Sequence, residues 1–283
     1  MGKDSNTEPA RVYYDALYEP SSSCKYIAPE EEVRRAEVLR GKTQRWFGML
    51  GVCTRLTTVI ELGCGNGVLK TVHPGWVGVD LSYQACKNVV AGGGRGVNGD
   101  LEHLPLADGS VDAIISWAAL EHVNHPSAAL EEIVRVLRPG GFLILGASWN
   151  CRFWTVKRLR FRAYASLSLR LRIEKATIPA RNLLLWRALC ALPTRMRGEI
   201  SLLLRRPAGR LSYRCMVPQL DATLPHVSDD DAFASIDAHA AICYFVSRGW
   251  SCVSHPSAVR RLLVRHEEVV LTKLATNEAK PDG

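Results

Sequence analysis

No apolar run in this chain approaches the ~18 residues that a membrane-spanning helix needs. The first residues lack the apolar centre of a secretory signal. Gly2 stands where N-myristoylation requires a glycine, but Asn6 occupies the position that needs serine or threonine. The expectation is a cytoplasmic protein, at most peripheral to a membrane. Nine cysteines are present, yet no two form a Cys-x-x-Cys pair and none is spaced with histidine as a zinc site would be. They read as small buried hydrophobes in a reducing compartment, and no metal is expected. Asp229-Asp230-Asp231 reads as a solvated turn capping a following helix rather than as cation ligands.

What is there begins with Val59-Ile60-Glu61-Leu62-Gly63-Cys64-Gly65-Asn66-Gly67 and Gly78-Val79-Asp80. Thr58 to Leu62 is β-branched and apolar apart from Glu61, as a strand buried on both faces should be. Glycines at 63, 65 and 67 let the backbone turn sharply and pass close to a ligand. A helix should follow, then a second strand ending at Asp80. In a parallel α/β sheet that places Asp80 beside the glycine turn, at the carboxyl ends of the strands where such sheets bind ligands.

Spacing narrows the ligand. The dinucleotide pattern G-x-G-x-x-G fails, because the third glycine comes one residue early and Val68 stands in its place. No Gly-Lys-Ser/Thr follows, which excludes a P-loop. What remains is a loop that cradles a nucleoside without phosphates. This resembles the first motif of the class I S-adenosylmethionine-dependent methyltransferases, an acidic residue followed by Gly-x-Gly-x-Gly. The resemblance extends through the strand Arg95 to Val97, the turn Asn98-Gly99-Asp100-Leu101, the strand Val111 to Trp117 and the segment Leu120-Glu121-His122-Val123. A helix is expected over His125 to Leu137, stopped by Arg138-Pro139-Gly140-Gly141, and then a strand over Phe142 to Leu145. The Leu-Glu-His-Val and Leu-Arg-Pro-Gly-Gly segments look like the small-molecule branch that includes the quinone-biosynthesis enzymes. The match is good over about residues 55–148. It returns in a helix at Asp237 to Arg248 and a closing strand pair at Trp250 to Ser254 and Glu268 to Lys273.

The resemblance implies S-adenosyl-L-methionine as cofactor. It implies cofactor contacts at Glu61, Gly63, Cys64, Gly65, Asn66, Gly67, Asp80, Leu81, Asp100, Leu101, Trp117 and Ala118. Asp80 would take the ribose hydroxyls and Asp100 the adenine amino group. If a base is needed, His122, just past the fourth strand, is the candidate, because an imidazole titrates near pH 7. In relatives the Glu-His pair often shapes the cofactor pocket instead. N-terminal helices around Val12 to Tyr18 and Glu30 to Leu50 would cover the cofactor, with Tyr13 and Tyr14 near it. Residues 1–10 and 275–283 read as disordered ends.

Charge is unevenly placed. The chain carries +8, but residues 150–215 hold 16 Lys or Arg against Glu174 and Glu199, so that segment is +14 and the remainder −6 (8 minus 14). Arg152, Lys157, Arg158, Arg160 and Arg162 alternate there with Phe153, Trp154, Phe161 and Tyr164, and Leu183 to Leu192 forms an apolar helix candidate that Pro193 should end. Three readings of the insertion stand: a lid packing its apolar face on the core, a surface for an anionic membrane or a lipid-linked substrate, and a nucleic-acid site. The last is the weaker, because Ser116-Trp117-Ala118-Ala119 occupies the place of the Asn/Asp-Pro-Pro-Tyr motif of base-modifying enzymes.

The fold expected is α/β: a doubly wound, mostly parallel seven-stranded Rossmann-like sheet with a helical lid insertion. The divisions are N-terminal helices over 1–50, a cofactor-binding core over 51–149, a basic insertion over 150–230, a C-terminal helix and strand pair over 231–273, and a tail over 274–283. The function expected is methyl transfer to a small-molecule acceptor, anionic or lipid-linked. The alternatives are an RNA or other nucleic-acid methyltransferase, or a catalytically inactive cofactor-binding regulator.

Overall fold

The computed structural model describes residues 7–21, 29–51, 57–206, 211–221, 223 and 229–274. Two helices, α1 (Thr7–Tyr18) and α2 (Pro29–Leu50), precede β1 (Val59–Leu62), β2 (Trp76–Asp80), α3 (Tyr83–Ala91), β3 (Gly96–Asn98), β4 (Val111–Trp117), α4 (Pro126–Val136) and β5 (Leu137–Gly146). The insertion follows as α5 (Phe153–Val156), α6 (Leu169–Ala176), α7 (Ile178–Asn182), α8 (Leu184–Leu203) and β6 (Tyr213–Cys215). The chain then forms β7 (Ala234–Ile236), α9 (Ala238–Val246), β8 (Trp250–Cys252), α10 (Ala258–Leu263) and β9 (Val269–Lys273).

Seven strands form one sheet in the order β3-β2-β1-β4-β5-β9-β8. β1 through β5 pair in parallel, and β9 runs antiparallel between β5 and β8. Strand order reverses between β1 and β4, which opens a crevice at their carboxyl ends. Both faces of β1 and β4 are buried. Ile60, Leu62 and Ile114 pack with α4 and α9 on one side, and Val59, Ile115 and Ile144 pack with Phe47 of α2 on the other. α4 forms because Pro126 starts it and Ala129, Leu130 and Ile133 line one face.

Several expectations change. No helix separates β1 from β2: Gly67 to Val72 folds into successive turns, with Lys70 N donating to Gly67 O and Val72 N to Leu69 O. Thirteen residues separate the strands, and Pro74-Gly75 closes the segment before a helix can propagate. Arg138 to Gly141 does not lie outside the sheet. β5 already begins at Leu137, opposite Val111, with a register shift before Ala113. Residues 7–10 are helical; residues 1–6 and the expected tail at 275–283 lie outside the described residues. Asp230 and Asp231 are buried rather than solvated, and β7 follows them, not a helix. β6 pairs antiparallel with β7, so a two-stranded ribbon crosses the boundary expected at residue 231.

Pro193 does not end its helix. α8 runs through it for 20 residues. Nor does α8 pack an apolar face on the core: its buried side chains are Arg195 and Glu199. Arg195 forks onto Asp237 at 3.0 and 2.9 Å. Glu199 accepts two hydrogen bonds from Arg261, at 2.9 and 2.6 Å, and its Oε1 lies 3.0 Å from His239 Nε2. The insertion is therefore fastened to α9 and α10 by charge. Removing one partner of a buried pair strands the others, at a cost of about 3–5 kcal/mol. Glu199→Ala should lower unfolding free energy by about that amount in urea titrations, and Leu189→Ala on the exposed face should change it by less than about 0.5 kcal/mol.

Candidate cofactor pocket

A pocket of about 430 Å³ opens at the carboxyl ends of β1, β2 and β4. Its floor is the glycine turn. Gly63 has φ +70° and Gly65 φ +49°, a region that disfavours any side chain. A Cβ on Gly63 would lie 2.3 Å from Ala119 Cβ, and one on Gly65 would lie 2.8 Å from the Tyr18 hydroxyl. The turn is held by Asp80, whose Oδ2 accepts from Gly65 N (2.8 Å) and whose Oδ1 accepts from Ser82 N (2.9 Å). Ala118 across the mouth has φ +50°, an unusual backbone state for alanine, and its N–H donates to Gly146 O at 2.9 Å.

Of the residues expected at this site, Glu61, Gly63, Cys64, Gly65, Asn66, Asp80, Leu81, Asp100, Leu101, Trp117, Ala118 and His122 all line the pocket. Gly67 does not. A Cβ there would lie 2.9 Å from Val89 Cγ2, so this glycine serves the packing of the turn on α3. Tyr14 lines the pocket, whereas Tyr13 points into a neighbouring surface hollow. Cys64 is inert: burial pushes its thiol well above the usual range.

The sequence pointed to the N-terminal helices over this pocket but not to most of the side chains that form its roof. Leu17 and Tyr18 of α1, Arg35, Ala36 and Leu39 of α2, and Asn88 of α3 complete the wall. Asp15 fixes α1, because its Oδ1 accepts from Ser82 Oγ (2.7 Å) and Gln84 N (3.0 Å) at the start of α3. Asn88 Nδ2 donates to Tyr18 O at 2.9 Å. Asp15 lies three residues before Tyr18 within a short amphipathic helix, the one local signal that α1 docks on something. Glu102, also missed, is buried and accepts from His125 N (2.7 Å), with His125 Nδ1 2.8 Å away.

His122 lies between two carboxylates. Its Nδ1 is 3.5 Å from Asp231 Oδ1 and its Nε2 is 3.8 Å from Glu121 Oε1. Tyr14 donates to Asp231 Oδ2 at 3.1 Å. Burial alone would lower the His122 pKa, but Asp231 and Glu121 outweigh it and the net shift is upward. The imidazolium therefore persists to higher pH than in an ordinary histidine. Asp231 arrives from the far end of the insertion; nothing local in the sequence joins it to His122. Glu61 is also shifted: burial pushes its carboxyl up to about 8, against the Trp76 indole N–H that donates to it at 2.9 Å.

No residue of the insertion's helices lines this pocket. Elsewhere among the described residues, Glu199, His239 and Cys243 bring ligand-type atoms within 4.8 Å of one another. Both Glu199 oxygens are engaged by Arg261, which leaves that cluster a charge network.

Residues 60–145 match the family described as a methyltransferase domain, under a third of the chain. A tRNA (carboxymethyluridine(34)-5-O)-methyltransferase from Arabidopsis thaliana is 34% identical over 94 residues, which cover 31% of this chain and 23% of that protein. A phthiotriol/phenolphthiotriol dimycocerosates methyltransferase from Mycobacterium ulcerans is 38% identical over 98 residues, covering 30% and 35%. The chain spans half or less of the length of these curated relatives. A solved protein from Pyrococcus horikoshii OT3 is similar at TM-score 0.38 and 22% identity, covering 46% of this chain and 63% of that one.

Two outcomes test the site. Gly63→Ala places a methyl group against Ala119 at a left-handed backbone position and should cost about 2–4 kcal/mol in denaturant titrations. Glu61 is protonated in the folded state over a pH range in which the unfolded chain would ionise it. Its contribution to stability is full below about pH 4.5 and is lost as pH rises through about 8. The melting temperature of the ligand-free protein should fall between about pH 5 and about pH 8, and Glu61→Gln should flatten that slope.

Proposed function

We propose that this chain is an S-adenosylmethionine-dependent methyltransferase acting on a small-molecule acceptor, anionic or lipid-linked. The observation that carries the reading is the pocket: a phosphate-free glycine cradle, with Glu61, Asp80 and Asp100 on its wall, lies inside the segment that matches methyltransferase domains.

The residues present fit the cofactor. Asp80 keeps acceptor capacity after binding two amides, since a carboxylate offers about four lone-pair sites, and it takes the ribose hydroxyls. Asp100 faces the pocket and takes the adenine amine, with Leu101 packing beside the base. Glu61, whose carboxyl pKa burial raises, would meet the cationic amino-acid end of the cofactor in its ionised form. When bound, S-adenosylmethionine supplies a methyl group already activated by its sulfonium. In-line transfer asks the protein mainly for alignment and for a dry pocket. Tyr14, Leu17 and Tyr18 exclude water from above. Asp231 and Glu121 hold His122 at the pocket edge, where it shapes the wall and fixes Tyr14 through Asp231. The raised pKa of His122 leaves less of the deprotonated, base-competent form at a given pH than an ordinary histidine would have.

The Leu120-Glu121-His122-Val123 and Leu137-Arg138-Pro139-Gly140-Gly141 segments favour the branch that includes the quinone-biosynthesis enzymes. The Mycobacterium ulcerans relative, named for phthiotriol/phenolphthiotriol dimycocerosates, favours a lipid-linked acceptor. The basic insertion and the plant tRNA methyltransferase favour the competing reading, methyl transfer to RNA. Radiolabelled cofactor incubated with host extract separates them, with label in the organic phase for a lipid or quinone-like acceptor and in the RNA fraction for the rival. No label in any fraction, with cofactor affinity intact, points to the inactive regulator.

Asp80→Ala removes the charged acceptor for two hydroxyls, worth roughly 1.5–3 kcal/mol, or about 10- to 100-fold in affinity. Calorimetry with S-adenosylhomocysteine should show at least that loss in a variant whose circular dichroism is native. Unchanged affinity would overturn the assignment of Asp80.

A further inference from the structure

α8 is built inside out. Its buried positions carry charge, while Leu185, Leu189, Leu192, Met196, Ile200 and Leu203, spaced 4, 3, 4, 4 and 3 apart, form one exposed stripe. Leu185 and Leu203 are 71% and 79% exposed, and Trp186 at the same end is 55% exposed. A stripe of this length facing water is costly unless something covers it.

The charge around it has one sign. Arg160, Arg162, Arg170, Arg172, Arg197, Arg205 and Arg206 are exposed. The two acids between residues 150 and 206 are not: Glu199 is buried, and Glu174 is half-buried between Lys157 and Arg170. Arg158, expected among the free bases, is paired with Asp230 at 3.2 Å.

Beneath the first half of α8 lies a second cleft of about 810 Å³, separate from the cofactor pocket. Arg152, Arg181, Arg187, Arg214 and Arg265 line it, and among the described residues none of these guanidinium groups is ion-paired. The lone carboxylate of the lining, Asp237, is taken by Arg195. Arg187 Nη2 lies 3.4 Å from His266 Nε2. Burial, followed by the charges of Arg187 and Arg152, pushes the His266 pKa down, and burial with the Arg187 charge lowers that of Arg152. Cations that suppress one another's charge form a site short of its counter-anion.

We propose that α8 and the arginine-lined cleft beneath it form a docking site for an anionic lipid bilayer: the leucine stripe enters the interfacial layer, and the cleft receives a headgroup phosphate. Bilayer interfaces pair apolar depth with anionic headgroups and accept tryptophan at the boundary, and here Leu192 of the stripe and the exposed Trp186 both border the arginine-lined cleft. A second copy of the chain fits less well, because a two-fold interface would set this basic surface against itself. Nucleic acid would neutralise the arginines and leave the aliphatic stripe uncovered. The proposal does not depend on methyl transfer, and its readout is binding.

Flotation of the full chain with vesicles tests it. Phosphatidylcholine vesicles containing phosphatidylglycerol should bind the protein, pure phosphatidylcholine vesicles should not, and added salt should weaken binding as the ~8 Å physiological screening length shortens. Leu189→Glu with Met196→Glu, both at exposed positions, should abolish flotation while leaving the melting temperature and cofactor affinity unchanged. Arg152→Ala and Arg187→Ala should each weaken partition about fivefold. Calorimetry with inorganic phosphate separates the sources: tight phosphate binding without flotation overturns the bilayer in favour of a free anion. Equal flotation with both vesicle types overturns the proposal, as does flotation of the stripe variant at the wild-type level. Absence of flotation overturns it as well. If that comes with a concentration-dependent dimer broken by the stripe variant, the occupant is a second copy. If it comes with salt-sensitive RNA binding that the stripe variant retains, the occupant is nucleic acid.

Discussion

The carboxylate of Asp80 is the constraint on which the rest of the pocket depends. One oxygen holds Gly65 N and the other holds Ser82 N. The first bond keeps the glycine turn in its left-handed course and pressed on Ala119. The second presents Ser82 as the cap of α3, where its Oγ accepts from Ala85 N and donates to Asp15. A chain of polar contacts thus runs from the sheet to the N-terminal helix that roofs the pocket. Such a chain fixes direction more sharply than apolar packing does, since each bond has an angle to satisfy. Burial raises the Asp80 pKa, and the two amides oppose that shift by stabilising the charged form.

The pocket and the insertion divide the chain's charge between them. Glu61, Asp80, Glu121 and Asp231 are buried at or beside the pocket, while Arg152, Arg181, Arg187, Arg214 and Arg265 gather around a different cleft. A cationic ligand is favoured in the first region and an anionic one in the second. The net charge of +8 describes neither place. It is the sum of an acidic region around the pocket and a basic insertion, each with its own electrostatic selectivity.

The strands were legible because burial on both faces writes a continuous apolar run, and β4 begins and ends where the residues Val111 to Trp117 predict. The floor of the pocket was legible for the same reason that Gly63 and Gly65 are glycine: backbone states that side chains disfavour leave a mark in the sequence. The roof was legible only as a pair of N-terminal helices, not as the side chains that dock them. Asp15 and Tyr18 lie on α1 and Asn88 on α3, and each looks like an ordinary surface residue until the helices dock. Burial of Asp230 and Asp231 ran against a reading based on composition, because their partners Arg158, Tyr14 and His122 lie about 70 to 220 residues away. Of the three readings of the insertion, the one that packs its apolar helix face on the core fails at α8, because the helix is anchored by Arg195 and Glu199 and turns its leucines outward. Periodicity finds the stripe; it does not say which side of the helix faces the protein.

Residues 231–237 connect the two regions. Asp231 accepts from Tyr14 beside His122. Six residues on, past β7, Asp237 receives Arg195 of α8 and caps α9 by accepting from His239 N. A substitution within this short segment reaches both the pocket wall and the anchor of α8, so a loss of activity there cannot be assigned to either. The exposed stripe of α8 has no such ambiguity. Its side chains are exposed, and none of them borders the cofactor pocket. The division of labour within one helix, charge to hold it and leucine to present, is what allows its outer face to be changed without disturbing the sheet.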